Sequence, residues 1–371
     1  MMQRLIPCLA VTTLFTTPIW AAARGVTAVT PDRPRVEVAF VLDTTGSMGG
    51  LIEGAKRRIW SIARRIGEGQ PRPELRIALV AYRDKGDQYV TRVHDLTRDM
   101  DDVYARLMSF QADGGGDTPE HVSAALHDAV HRVSWSQAKA LRIIFLVGDA
   151  PPHIDYRDGF DFRRHAREAR QRGIGIETIE CGDDPQTARV WQEIAGLGNG
   201  RFARIDASGG MTARVTPVDA DLARLNAELA ATVVAGGTLA ERAEVGRKVS
   251  ARAAMAAPVA AEAAAYYARA DKLADKDLVD MPVADQKKEL AELKQAPPSS
   301  QPAGIAGKSD DEALAYLKQQ KQKRVQLQGR VIELQKQREA YLAAQPQEQD
   351  GFDQQVVESL KARAKDHGIK Y

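Results

Sequence analysis

The chain has 371 residues, room for one full-sized globular domain and a second module. Lys and Arg number 52 against 50 Asp and Glu, a formal net charge of +2, which argues against bulk electrostatic capture of nucleic acid or of an anionic membrane. Aromatic residues make up 6% of the chain, and alanine is concentrated in the C-terminal half, so the first half has to supply most of the packed core.

In chain order, Arg4 precedes an apolar stretch, Leu5 to Trp20, and the run Ala21-Ala22-Ala23. This is the layout of an export signal over residues 1–23, cleaved near Ala23. The alternative is an uncleaved anchor, but Pro7, Pro18 and four threonines make a poor permanent span. No later segment is apolar enough to cross a bilayer. The expected location is therefore secreted or periplasmic. Cys8 would leave with the signal, and Cys181 alone cannot form an internal disulfide. Cys181 reads as a small buried residue at a strand end, with a reactive thiol as the minor alternative.

Over residues 35–210, short apolar runs alternate with amphipathic stretches. Val36 to Leu42 is an apolar strand ending in Asp43, and Leu51 to Ile66 carries a helical period of about 3.6 residues. Strands Leu75 to Tyr82 and Tyr89 to Leu96 are joined by the turn Asp84-Lys85-Gly86-Asp87, too short for anything but an antiparallel pair. A helix follows from Asp99 to Phe110, with Asp99 as N-cap. The glycine-rich loop Asp113 to Asp117 leads to a helix from Pro119 to about Val133, with proline in its first turn. Then come the strand Leu141 to Val147, a helix Phe160 to Arg172, a strand Gly173 to Glu180, a helix Pro185 to Leu197 and a strand Gly200 to Ile205. The pattern predicts an α/β fold: a Rossmann-like, doubly wound, mainly parallel sheet with one antiparallel edge strand. Ligands of such sheets bind beyond the C-terminal strand ends, where strand order reverses.

After residue 216 good helix formers dominate and strand signals stop, predicting an all-α extension. Asp221 to Val234 and Ala240 to Leu278 read as helices within a helical region, 216–294. Residues 295–309, including Pro297-Pro298 and Pro302, read as a Pro/Ser/Gly linker. Residues 310–371 read as a polar helical tail, with one long helix from Asp310 to Ala344. Leu317, Leu327, Val331, Leu334 and Tyr341 line a broken heptad seam, interrupted by Gln320, Arg324 and Arg338. That helix is either solvated or a weak coiled coil for self-association.

The chemistry concentrates in three loops. In Asp43-Thr44-Thr45-Gly46-Ser47, a carboxylate and two hydroxyls alternate, so one turn can aim Asp43, Thr45 and Ser47 at a single point. Such oxygens suit a small hard cation, although Thr and Ser also cap helices in the ordinary way. The loop Gly114-Gly115-Gly116-Asp117-Thr118-Pro119-Glu120 offers Asp117, Thr118 and Glu120, and Asp149 follows the strand Leu141 to Val147. Convergence of all three loops at one rim carries more weight than any member alone. His153 reads as a surface or hydrogen-bonding residue, and Glu168 with the arginines of 163–172 as a solvated helix face.

These motifs resemble the metal-ion-dependent adhesion site of von Willebrand factor A (VWA) domains, whose first loop is D-x-[ST]-x-S and is matched by Asp43, Thr45 and Ser47. Asp117-x-Pro119-Glu120 is similar to the integrin β A-like and hemicentin forms, and the segments around Ala81 to Asp84 and Asp149 to His153 to the A domain attached to alpha-type kinases. The resemblance covers roughly residues 35–205. It implies Mg²⁺ or Mn²⁺ held by Asp43, Thr45, Ser47, Glu120 and Asp149, with Thr118 a weaker candidate. It also implies a second, Ca²⁺-type site on Asp84, Asp117, the Pro119 carbonyl and Glu120, although Gly115 stands where the family has an Asn ligand. Gly49-Gly50 occupies the place of the acidic pair of a third site, which is expected to be absent.

The expected function is therefore an exported, non-enzymatic, metal-dependent protein-binding module that engages an Asp or Glu of a protein partner. Two alternatives stand beside it. One is a Mg²⁺-dependent phosphotransfer enzyme with Asp43 as nucleophile, although Thr45 stands where such enzymes carry a second acid and no Lys is obviously placed to neutralise a phosphoryl group, Lys56 and Lys139 being the candidates. The other is a structural periplasmic protein that oligomerises through its helices.

Overall fold

The computed structural model describes residues 33–116, 118–207, 215–345 and 351–371. The expected signal segment and Asp117 lie outside the described residues. Six strands form one sheet: β1 (Arg35–Asp43), β2 (Glu74–Tyr82), β3 (Thr91–Thr97), β4 (Ala140–Gly148), β5 (Ile174–Cys181) and β6 (Phe202–Ile205). Their order is β3-β2-β1-β4-β5-β6. Only β2 and β3 pair antiparallel; every other neighbouring pair is parallel. Strands β1, β4 and β5 are buried on both sides, which is why they read as near-continuous apolar runs rather than alternating ones.

Five helices alternate with the strands: α1 (Gly49–Gly67), α2 (Met100–Met108), α3 (Val122–His131), α4 (Phe162–Gln171) and α5 (Pro185–Leu197). The last three cover one sheet face, burying Val41, Ile144 and Leu146 with Trp191. Helices α1 and α2 cover the other face, over Phe40, Leu42 and Phe145. Asp99 caps α2 as expected, accepting from Asp101 N and Asp102 N.

The α3 boundary departs from the sequence reading. Helix α3 begins at Val122, not Pro119, because Glu120 is committed to a bridge with Pro152: its N–H donates to Pro151 O (3.0 Å) and its carbonyl accepts from His153 N (3.1 Å). His121 then caps the helix, with Ala124 N donating to its Nδ1. This bridge keeps the Glu120 side chain at the strand ends rather than on a helix surface.

The C-terminal half contains α6 (Asp219–Ala230), α7 (Leu239–Ala253), α8 (Ala257–Tyr267), α9 (Val283–Leu293), α10 (Asp310–Ala343) and α11 (Phe352–Ala364). The single helix expected over Ala240 to Leu278 is broken. Pro258 lacks an N–H and fits only the first turn of α8, and Ala268 to Asp277 adopts no helix.

These helices pack on the sheet domain instead of standing free. Trp60 of α1 lies 5.7 Å and 5.4 Å, ring to ring, from Tyr266 and Tyr267 of α8. Ile305, in the segment expected as a linker, is buried with Leu278, Leu290 and Leu317. Of the residues expected to form a heptad seam on α10, Leu317, Leu327 and Val331 are buried within the chain, Leu334 is partly buried and Tyr341 is exposed. The arginines that interrupt the pattern point the same way. Arg324 reaches Asp277 and Asp280, each at 2.7 Å, and Arg338 reaches Asp219 (2.8 Å) and Glu262. Burying a guanidinium without such a carboxylate would be prohibitive. Among the described residues, no helix is long and apolar enough to cross a membrane.

Candidate functional site at the strand rim

β1 is central and flanked by β2 and β4, with Leu42 paired to Val147 and Asp43 paired to Tyr82. The chain leaves β1 toward β2 but returns on the other side through β4, so the strand order reverses between them. Asp43 and Asp149 thus stand at neighbouring C-terminal ends beside that switch point. One feature lets the strands close there. Gly148 has no side chain, and a Cβ on it would come within 2.4 Å of the Tyr82 hydroxyl and 3.1 Å of Asp43 Oδ2.

The first loop is organised by Asp43. Its Oδ1 accepts from Thr45 N (2.9 Å) and Thr45 Oγ1 (2.7 Å), and Thr45 Oγ1 lies 3.4 Å from Ser47 Oγ. The glycine loop is laced to it by the backbone: Gly46 N donates to Gly114 O (3.1 Å) and Asp113 N to Thr44 O (3.1 Å). Gly115 has φ +77°, and a Cβ there would meet Thr45 Cβ at 3.0 Å and Glu120 Oε1 at 3.2 Å. Thr45, Gly115 and Glu120 are therefore in immediate contact. Arg83 fixes the same corner from below, donating to Thr44 O (3.1 Å) and Gln111 O (2.8 Å).

Thr45, Ser47, Thr118, Glu120 and Asp149 line one open cavity of about 260 Å³. Ser47 and Thr118 are exposed at its mouth, while Thr45 and Glu120 are buried. Asp43, hydrogen-bonded to Thr45 of that lining, is fully buried and does not itself line the cavity. One oxygen of each buried acid, Asp43 Oδ2 and Glu120 Oε2, has no hydrogen-bond partner. Burial first, and the neighbouring Asp149 charge after it, push the Asp43 carboxyl up to about 7 against the pull of its Thr45 hydrogen bonds. Burial and then the charges of Asp43, Asp84, Asp87 and Asp149 push Glu120 up to about 9. A buried oxygen cluster of this kind, rich in carboxylates and hydroxyls and poor in cations, fits a hard divalent ion.

Asp84 is placed differently. Its Oδ2 accepts from the Tyr156 hydroxyl (2.6 Å) and lies 3.5 Å from His153 Nε2, while its Oδ1 is buried without a partner. His153 sits 2.8 Å from Asp155 through Nδ1 and stacks on Tyr156 at 4.0 Å, a hydrogen-bonding role as expected. Sequence reasoning missed Asp87, whose carboxylate accepts from Asp84 N and Gly115 N and so ties the β2–β3 turn to the glycine loop. The glycine at 114, where a Cβ would collide with Asp87, was its only trace in the sequence. Cys181 ends β5 as a buried free thiol, and burial followed by the Asp149 and Asp43 charges pushes its pKa up. That makes it a poor nucleophile. Lys56, considered as a phosphoryl partner, is paired to Glu53 at 2.8 Å.

Residues 37–172 match the family model of the von Willebrand factor A domain. Von Willebrand factor A domain-containing protein 7 of Rattus norvegicus is 33% identical over 187 residues, 50% of this chain and 19% of the rat protein. Its counterpart in Mus musculus is 38% identical over 157 residues, 42% of this chain and 16% of the mouse protein. The matches thus span less than a fifth of these relatives. Among solved structures, proximal thread matrix protein 1 from the mussel byssus, with a zinc-occupied MIDAS motif, shows 15% identity and a TM-score of 0.37, covering 47% of this chain and 42% of that one. The open conformation of the pilus adhesin SpaC from Lactobacillus rhamnosus GG shows 13% identity and a TM-score of 0.35, covering 48% and 28%.

Proposed function

Since residues 37–172 match the family model of the von Willebrand factor A domain, we propose that the protein is a non-enzymatic binding module that holds a divalent cation at the strand rim and, through it, an acidic group of a protein partner. The observation that carries the reading is the pair of unpartnered buried oxygens, Asp43 Oδ2 and Glu120 Oε2; Glu120 lines a cavity with Thr45, Ser47, Thr118 and Asp149, and Asp43 is hydrogen-bonded to Thr45 of that lining. Two buried acids without a cation between them are costly. Asp43, Thr45, Ser47, Glu120 and Asp149 would hold Mg²⁺ or Mn²⁺, with Thr118 at the mouth. A bound ion would supply an electrophilic centre with a position left for an outside carboxylate.

A second oxygen site on Asp84, Asp117, the Pro119 carbonyl and Glu120 belongs to the same proposal, supported by the unpartnered Asp84 Oδ1. Export is likewise proposed from the apolar run Leu5 to Trp20 and the three alanines after it. Phosphotransfer by Asp43 is disfavoured, because its carboxylate is 0% exposed and one oxygen already accepts two hydrogen bonds.

The test is Mn²⁺ titration of the chelator-stripped, full-length protein, followed by partner capture with and without chelator. Asp43→Ala and Glu120→Gln are expected to weaken Mn²⁺ binding at least about tenfold. Unchanged affinity in both variants would refute the site.

A further inference from the structure

Away from the rim, three histidines meet where α3 packs on α4. Helix α3 presents His127 and His131 one turn apart, and α4 presents His165 and Glu168 on the facing side. His131 Nε2 and His165 Nδ1 each lie 2.9 Å from the same oxygen, Glu168 Oε2. One ligand-type atom from each of His131, His165 and Glu168 falls within 4.8 Å of the others. The ring of His127 lies 4.9 Å from that of His131 and 5.1 Å from that of His165.

The surroundings orient these rings. Asp128 Oδ1 sits 3.0 Å from His127 Nδ1, and Asp128 is itself fixed by Thr91 Oγ1 (2.6 Å) and Arg132 (2.8 Å). A carboxylate on Nδ1 leaves Nε2 as the ligand atom, the arrangement that orients metal-bound histidines. On His165 the Arg164 guanidinium lies 3.3 Å from Nε2, leaving Nδ1 turned toward Glu168. Glu168, expected on a solvated face, is instead the centre of this cluster.

We propose that His131, His165 and Glu168, with His127 as the fourth ligand, form a zinc-class transition-metal site that pins α3 to α4. Imidazole nitrogens with one carboxylate suit a borderline-soft ion, whereas the rim offers only oxygens, so the two sites sort metals by ligand chemistry. Tetrahedral bonds of about 2.0–2.2 Å bring ligand atoms to about 3.3 Å apart. Glu168 Oε2 is already 2.9 Å from both ring nitrogens, so the ligand atoms have only to open slightly around an ion, and the side chains of His131 and Glu168 are 37% and 33% exposed. The two sites are distinct in space as well. His131 ends α3, nine residues after its first, about 13 Å along the helix from the rim end.

Stripped full-length protein is dialysed against Zn²⁺ in excess Mg²⁺, which occupies the rim, and bound zinc is counted by mass spectrometry. Co²⁺ replacement reads the geometry through the visible bands of tetrahedral cobalt. Wild type and Asp43→Asn are expected to retain about one zinc and show those bands. His131→Ala and Glu168→Gln, which alter half-exposed side chains, are expected to lose both. His127→Ala is expected to weaken zinc binding by about tenfold or more, and unchanged affinity there would overturn its place as a ligand. Wild type that holds no zinc, or zinc lost with Asp43→Asn but kept by His131→Ala and Glu168→Gln, overturns the site.

Discussion

Metal binding at the rim should be strongly coupled to pH, and the coupling can be worked out from the two buried acids. In the metal-free protein Asp43 titrates at about 7 and Glu120 at about 9. Both must be ionised to act as ligands, so binding at neutral pH releases about 1.5 protons, falling to about one at pH 8. Affinity should therefore rise about 30-fold per pH unit around neutrality. The same acids set the stability of the metal-free fold. Their folded-state pKa values lie above the unfolded ones, so the folded state binds more protons through the window between. Their contribution is full below about pH 4 and is lost as pH rises through about 7 and then about 9. For the fully buried Asp43 alone, the climb from 3.8 to about 7 corresponds to about 4 kcal/mol. Calorimetric titration of Mn²⁺ in buffers of different ionisation enthalpy measures the protons, and melting curves with and without metal measure the stability gap. The gap should widen with pH, and Asp43→Asn without metal should melt above metal-free wild type at about pH 8. Proton release near zero at neutrality, or a metal-free melting temperature that does not fall between about pH 5 and pH 8, would refute the reasoning.

Three other outcomes follow from packing. Gly115→Ala forces a side chain into the left-handed region, at a cost of about 1–2 kcal/mol; because the new methyl meets Thr45 and Glu120, Mn²⁺ affinity should fall as well, measurable by titration. Arg324→Ala leaves Asp277 buried without its partner and should lower stability in denaturant melts by about 3–5 kcal/mol, while rim metal binding is kept in the folded fraction. Phe352→Ala removes a ring packed 5.9 Å from Phe40 of β1 and should cost about 3–5 kcal/mol in the same assay.

The centre of the sheet was legible because β1, β4 and β5 are buried on both sides; Val36 to Leu42 and Leu141 to Val147 needed no tertiary information. The composition of the rim was legible for a related reason. Asp43, Thr45 and Ser47 alternate within one turn, and Asp149 closes the strand that proves to be the neighbour of β1. What stayed hidden depends on contacts distant in sequence. Arg338 looked like a defect in a heptad until Asp219 and Glu262, 119 and 76 residues away, supplied its charge partners. Glu168 looked solvated because His131 lies on another helix, 37 residues earlier. The start of α3 was misjudged because proline in a first turn is a local signal, whereas the bridge that holds Glu120 to Pro152 is not.

The return of α11 to β1 has a consequence for how the chain reaches its native state. Phe40 is among the first ordered residues, yet its ring waits for Phe352, and Gln70 exchanges backbone hydrogen bonds with Lys370 (2.7 and 2.9 Å). Closure of the sheet face therefore joins residues more than three hundred positions apart, among the slowest contacts for a polypeptide to find. During synthesis the part of that flank that α11 seals stays bare until the chain is nearly complete, a period in which a holding chaperone would guard against clumping.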